Sequence, residues 1–181
     1  LAIGATGTGT TLGTVASFSS NGPSLDGRIK PDLVAPGVDV CSGRAEEAAA
    51  SPGLSCTSET HSSGTQMYTS LSGTSQATAV AGGVAALTSE FIREEVGINA
   101  PSASLIKAAM INGATDLGAP DIPNAEEGWG QVNLERTVLP VWDESSPSTT
   151  ALSTFMDDNT PLDAGFGLLY AFEMDPSHGI D

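Results

Sequence analysis

Positive charge is what this sequence has least of. Two lysines and four arginines stand against 22 acidic residues, for a formal net charge of −16 over 181 residues. Nucleic acid is thereby excluded as a partner, since binding it needs a basic footprint, and an anionic membrane surface is disfavoured on the same ground. The plain reading of the acid excess is a solvated surface, and it also suits saline surroundings that screen the charge. Aromatic residues make up only 5%, so a core must be built from Ala, Val, Leu and Gly. No apolar run reaches the length of a membrane span. The opening LAIGATGTGT has neither an initiator Met nor a basic leader segment, which predicts a fragment or a processed chain. Histidine is limited to His61 and His178. Cysteine is limited to Cys41 and Cys56, 15 positions apart in one polar region. In a secreted protein they would form a local disulfide; otherwise they are two free thiols. With a lone nearby His61 they lack the ligand spacing of a zinc site.

What is present divides near residue 138. Leu1–Ala5 reads as the end of a buried strand. The glycines of GATGTGT do not fall at dinucleotide-loop spacing, and no helical period follows them. Ile29 and Leu33-Val34-Ala35 read as short buried strand pieces bracketed by Pro31 and Pro36. From Cys41 to Gln66 the chain reads as one long polar loop. A helix is predicted from about Ser75, with Val80, Val84, Leu87 and Phe91 as its stripe and alanines on the other faces. Apolar on all sides, it should be buried. Gly82-Gly83 costs it roughly 1–2 kcal/mol against Ala, as expected where a neighbour packs closely. Gly97 ends it. A second helix follows Ser102, a candidate N-cap, and stops at Gly113. GWGQVNLERTV reads as a turn and a short strand. Beyond that, residues 137–181 hold eight acids and no Lys or Arg, with strand-like pieces too few for an independent core. The predicted organisation is an α/β domain over 1–138 and an incomplete β-rich segment over 139–181.

The chemistry centres on Ser75 in SGTSQATAVAGGVAAL (72–87). Position 77 is Ala, so this is not the hydrolase elbow G-x-S-x-G. The serine stands where a loop enters a helix, where free N–H groups and the helix dipole favour negative charge. Such a place suits the oxyanion of acyl transfer. The competing reading is a serine that only caps the helix. A serine hydroxyl also needs a base, and none is placed by motif within the chain. His61 lies in a polar loop and reads as a surface residue. His178 lies near the end of the incomplete tail. Asp32, in KPD, reads as a structural, hydrogen-bonding acid.

SFSSNGP (17–23), GRIKPDLVAPG (27–37), SGTSQATAVAGGVAAL (72–87) and GWGQVNL (128–134), in that order, resemble the C-terminal half of the subtilisin-like serine peptidases. VWDESSPSTT and the pieces after it resemble the start of the C-terminal β-sandwich of larger members. The resemblance implies an α/β domain with a mainly parallel sheet and a Ser-His-Asp triad in the order Asp, His, Ser. It assigns Ser75 as nucleophile and its backbone N–H to the oxyanion hole, with Thr74 lining the substrate cleft. The triad Asp and His and the oxyanion Asn are then expected upstream of Leu1. Gln76 and Ala79 stand where the family commonly has Met and Pro. Neither change removes a catalytic group. Calcium often supports such enzymes, but no calcium-loop spacing occurs here, so it is expected only as an option for the full-length protein. The expectation is a secreted endopeptidase acting on proteins or peptides, of undetermined oligomeric state, with the isolated chain inactive. The alternative is a non-catalytic subtilase-like scaffold kept for binding or structure.

Overall fold

The computed structural model describes residues 1–45, 56–118 and 122–138. The expected β-rich segment 139–181, and His178 with it, lies outside the described residues. β1 (Ile3–Thr6) and β2 (Leu33–Pro36) pair in parallel, Ile3 opposite Leu33 and Thr6 opposite Pro36. Parallel strands are normally covered on both faces, and Gly4 to Thr6 and Leu33 to Ala35 are buried. A parallel bridge from Val34 to Gln131 extends the pair on its other side. β3 (Val40–Gly43) and β4 (Tyr68–Leu71) form a separate antiparallel pair, Val40 opposite Leu71. The expected loop from Cys41 therefore begins as a strand. Ile29 is not a buried strand piece: it lies in irregular backbone and is 42% exposed.

Three helices complete the described residues: α1 (Thr74–Glu94), α2 (Ala103–Asn112) and α3 (Leu134–Val138). α2 is bounded as its sequence predicts. Ser102 Oγ accepts from Leu105 N at 3.0 Å, satisfying a free first-turn donor, and Gly113 caps the other end. Of the turn and short strand expected in GWGQVNLERTV, Gln131 forms bridges to Val34 and Thr115, and Leu134–Val138 is the helix α3. Asn133 starts it, its side-chain oxygen accepting from Arg136 N at 3.1 Å while Thr137 N bonds the Asn133 carbonyl.

α1 packs across β1 and β2 and against α2 and α3. The core consists of Ala5, Leu33, Ala35, Ala77, Ala81, Met110 and Val132. The buried stripe of α1 is Ala77, Ala81, Thr88 and Ile92, not the expected Val80, Val84, Leu87 and Phe91. Val80 and Val84 are half-buried beside it, and Leu87 is 47% exposed. Thr88 is tolerated inside because its hydroxyl bonds Val84 O at 2.8 Å. The opposite face, with Ala79, Gly82, Gly83 and Ala86, is exposed. A Cβ on Gly82 or Gly83 would meet nothing within 4 Å, so the close neighbour expected there is absent among the described residues.

Two buried acids tie the frame together. Glu127, 1% exposed, accepts from Leu117 N and Asn124 Nδ2, each at 3.0 Å, closing the loop before Gly128. Asp32 sits just before β2 and accepts from Ala2 N at 2.6 Å, Lys30 Nζ at 2.6 Å and Lys107 Nζ at 2.7 Å. Burial pushes the Asp32 pKa up. The bonds from Lys107, Lys30 and the Ala2 amide more than reverse this and hold the carboxyl far below its ordinary 3.8. Asp32 thus has the structural role its sequence context suggests.

Cys41 on β3 and Cys56 are joined by a disulfide, their Cα atoms 5.9 Å apart.

Asp32→Asn should cost about 2–3 kcal/mol at neutral pH, below the full penalty of a broken buried pair because the lysines are partly solvated. The lowered folded pKa means this stabilisation is complete above the unfolded value near 3.8 and declines as the pH falls below it. Denaturant titrations of wild type and variant should therefore converge on acidification below that pH. Replacing both cysteines by serine, which opens a loop with a sequence separation of 15, should lower stability by up to about 3 kcal/mol, read as a lower denaturation midpoint.

Candidate active site

Ser75 is the second residue of α1 and is exposed. The chain reaches it from β4 through Leu71, Ser72, Gly73 and Thr74. Gly73 is the N-cap and offers no side chain to the first turn. Gln76 N and Ala77 N both bond the Gly73 carbonyl at 3.2 Å. The N–H groups ahead of them carry no side-chain cap, so positive dipole density and free donors lie beside the Ser75 hydroxyl. The alternative role for Ser75, capping the helix with its own hydroxyl, is not the one seen: Gly73 occupies the cap position.

The segment before Ser75 is held by the turn after β2. Gly37 N donates to Thr6 O at 2.9 Å, and Gly73 N donates to Gly37 O at 2.7 Å. Gly37 is buried, and a Cβ there would come within 2.8 Å of Gly73 O, 2.9 Å of Ala5 Cβ and 3.0 Å of Ala77 Cβ. Only a residue without a side chain lets this turn press on the start of α1. Next to it, Asp39 N donates to Ser72 Oγ at 2.8 Å, and Ser72 Oγ donates to Asp39 Oδ1 at 3.2 Å. Gly37, Asp39 and Ser72 are the residues around the site that sequence reading missed. The APG of APGVDV marks a turn, but nothing local shows that the turn touches residues 72–77.

Thr74 is half-buried beside Ser75, and its carbonyl accepts from Thr78 Oγ1 at 2.8 Å. It also lines a shallow cleft of about 240 Å³ with Ala2, Ile3 and the Ser20–Ser24 loop. His61 is the one histidine among the described residues and does not approach Ser75. Its Nε2 lies 3.4 Å from Arg44 O, and its own amide bonds Thr65 O at 2.7 Å. Arg44 continues from the Gly43–Tyr68 end of the β3–β4 pair, whereas Ser75 follows the Val40–Leu71 end. Cys41, on β3 opposite Ser70, carries the disulfide to Cys56. Among the described residues, no group of three or more His, Cys, Asp or Glu side chains is placed to hold a metal ion, and no helix is long and apolar enough to cross a membrane.

Known proteins resemble this chain in sequence and fold. The serine protease/ABC transporter B family protein tagA of Dictyostelium discoideum is 31% identical over 176 residues, covering 91% of this chain and 10% of that protein. The serine protease AprX of Bacillus subtilis (strain 168) is 36% identical over 125 residues, covering 69% of this chain and 25% of that protein. Among solved structures, the CspB protease of Clostridium perfringens superposes with a TM-score of 0.56 at 27% identity, over 75% of this chain and 25% of that one. Fervidolysin from Fervidobacterium pennivorans, a keratinolytic enzyme related to subtilisin, gives 0.56 at 23% identity over 75% and 18%, and so speaks for the α/β fold alone. The chain spans a quarter or less of each of these four proteins. The sequence model of the subtilase family, peptidase S8, matches residues 1–130. Matched by it over more than half its length, and folded as its relatives are, the chain belongs to the subtilase family of serine peptidases.

Proposed function

We propose that this chain is the nucleophile-bearing part of a secreted serine endopeptidase. The observation that carries the reading is Ser75, exposed in the first turn of a helix whose N-terminus no side chain caps. Its hydroxyl attacks the carbonyl carbon of a peptide bond while its own N–H donates to the oxygen that gains charge. The proton leaves to a histidine oriented by an aspartate, both supplied from outside the described residues, as is the second oxyanion donor, an asparagine. Thr74 lines the substrate cleft. Two features support a base and further walls from elsewhere. The one described histidine is held at Arg44 O, and α1 leaves an apolar face open at Ala79, Gly82, Gly83, Ala86 and Leu87. Proteins and peptides are the substrates. The Cys41–Cys56 disulfide supports an oxidising, extracellular destination. Calcium remains an option for the full-length protein only.

In the full-length protein, Ser75→Ala should abolish both labelling by a fluorophosphonate and cleavage of a protein substrate, a loss of at least about a thousandfold. Labelling that survives the substitution sinks the assignment of Ser75, and a wild-type protein that is neither labelled nor active is the non-catalytic scaffold. The 181-residue chain alone should cleave nothing; Ser75-dependent turnover by the purified chain would mean that it supplies its own base.

A further inference from the structure

Asp39 is the one non-glycine residue with a left-handed backbone among the described residues, at φ 51°. Asp and Asn bear that conformation better than other side chains, but it still carries strain. Strain held in place usually has a structural return. Here it lets Asp39 face Ser72 with both its amide and its carboxylate. Asp39 N donates to Ser72 Oγ, and Ser72 Oγ donates back to Asp39 Oδ1. One hydroxyl thus acts as acceptor and donor at once, which fixes its rotor. Both residues are exposed, so neither contributes to the core.

The turn that carries Asp39 is itself anchored. Thr8 Oγ1 donates to Val38 O at 2.8 Å, and Gly37 N donates to Thr6 O at 2.9 Å. Gly37 O in turn takes the Gly73 amide at 2.7 Å. The line of contact runs from β1 through the 37–39 turn to Ser72 and Gly73, just ahead of Ser75 in the chain. The Gly37 bond fixes the chain at Gly73. The Asp39 bonds fix it one residue earlier, so the segment entering α1 is gripped at two consecutive positions and cannot pivot about one.

We infer that Asp39 and Ser72 form a clamp that positions Ser75 for attack, making both of them positioning residues for the nucleophile. The inference rests on the reading of Ser75 as nucleophile. Neither residue touches the reacting atoms; they act through the backbone of 73–75. Because an attack geometry is sensitive to displacements of an ångström or less, loosening the clamp should slow chemistry more than it weakens substrate binding.

The test uses the full-length protein with four variants: Ser72→Ala, Asp39→Ala, Asp39→Asn and the Ser72→Ala/Asp39→Ala double. Ser72→Ala and Asp39→Ala should each slow fluorophosphonate labelling about tenfold and lower kcat by a similar factor, with KM within about twofold, well below the melting temperature. Asp39→Asn should restore most of the rate, since its Oδ1 still accepts and its backbone tolerates positive φ. The double variant should be no slower than the slower single, as expected of two ends of one interaction. Amide hydrogen exchange over residues 72–76 reads the clamp without turnover, and should speed up in the two alanine variants and not in Asp39→Asn. Unchanged exchange, wild-type labelling rates in the alanine variants, or an Asp39→Asn as slow as Asp39→Ala would overturn the clamp. A wild type that is never labelled, with exchange responding as described, would leave the clamp standing and remove the peptidase reading instead.

Discussion

The missing side chain at Gly37 is the constraint on which the rest of the site depends. Three elements meet there: the end of β1, the turn leaving β2 and the first turn of α1. The Gly37 amide binds Thr6 O, and its carbonyl takes Gly73 N. A methyl group in that position would press on Gly73 O, Ala5 and Ala77 together, two of them parts of the core and one the cap of the helix. Overfilling a packed site of this kind costs about 1–3 kcal/mol and shifts backbone, and the backbone it would shift is the one that carries Ser75. The same logic explains why the residues facing each other behind the serine are Ala5, Ala35, Ala77 and Ala81. Small side chains bring α1 close to the strand pair, and that closeness makes the helix start a fixed point and not a hinge.

α1 is therefore asymmetric in a way its composition does not show. One stripe lies on β1 and β2, and the stripe behind it is open. A helix apolar on every side needs cover on every side, and the described residues provide it on one. The two glycines at 82 and 83 lie on the uncovered side, where no described residue makes use of their smallness. Their cost in helix propensity is met by the length of the helix and its anchored face.

Local signals in the sequence were legible and non-local ones were not. Ser102 and Gly113 bound α2 because a cap is made between residues a few positions apart. The Gly-Thr-Ser step placed Ser75 at a helix entry for the same reason. LERTV is too short for a helical period to show, and only the Asn133 side chain, accepting from Arg136 N, marks the helix start. Val40–Gly43 hid in a polar stretch because its partner strand begins at Tyr68, and no local pattern announces a pairing across that distance. Periodicity identified α1 but chose the wrong stripe: the larger residues Val80, Val84, Leu87 and Phe91 suggested the core face, whereas close approach to the strands selects alanine. Asp39 and Ser72, separated by 33 positions, could be connected only once the turn and the helix start were seen together.

The two ends of the β1–β2 pair are held by opposite means. At the N-terminal end, the two lysines of the chain converge on one buried carboxylate, Asp32, which also takes the Ala2 amide and so joins β1, β2 and α2. In a chain with net charge −16, a buried acid without those cations would be unfavourable. At the C-terminal end no charge pair is used among the described residues. Contact is made by bare backbone at Gly37 and by hydroxyl and amide groups at Thr8, Asp39 and Ser72. Open α/β sheets bind ligands beyond the carboxyl ends of their parallel strands, and Ser75 stands at that end. Charge fixes the frame at one end of the strand pair, and close backbone packing fixes it where α1 begins. Both lysines are committed to Asp32, Lys30 from the wall of the cleft that Thr74 also lines.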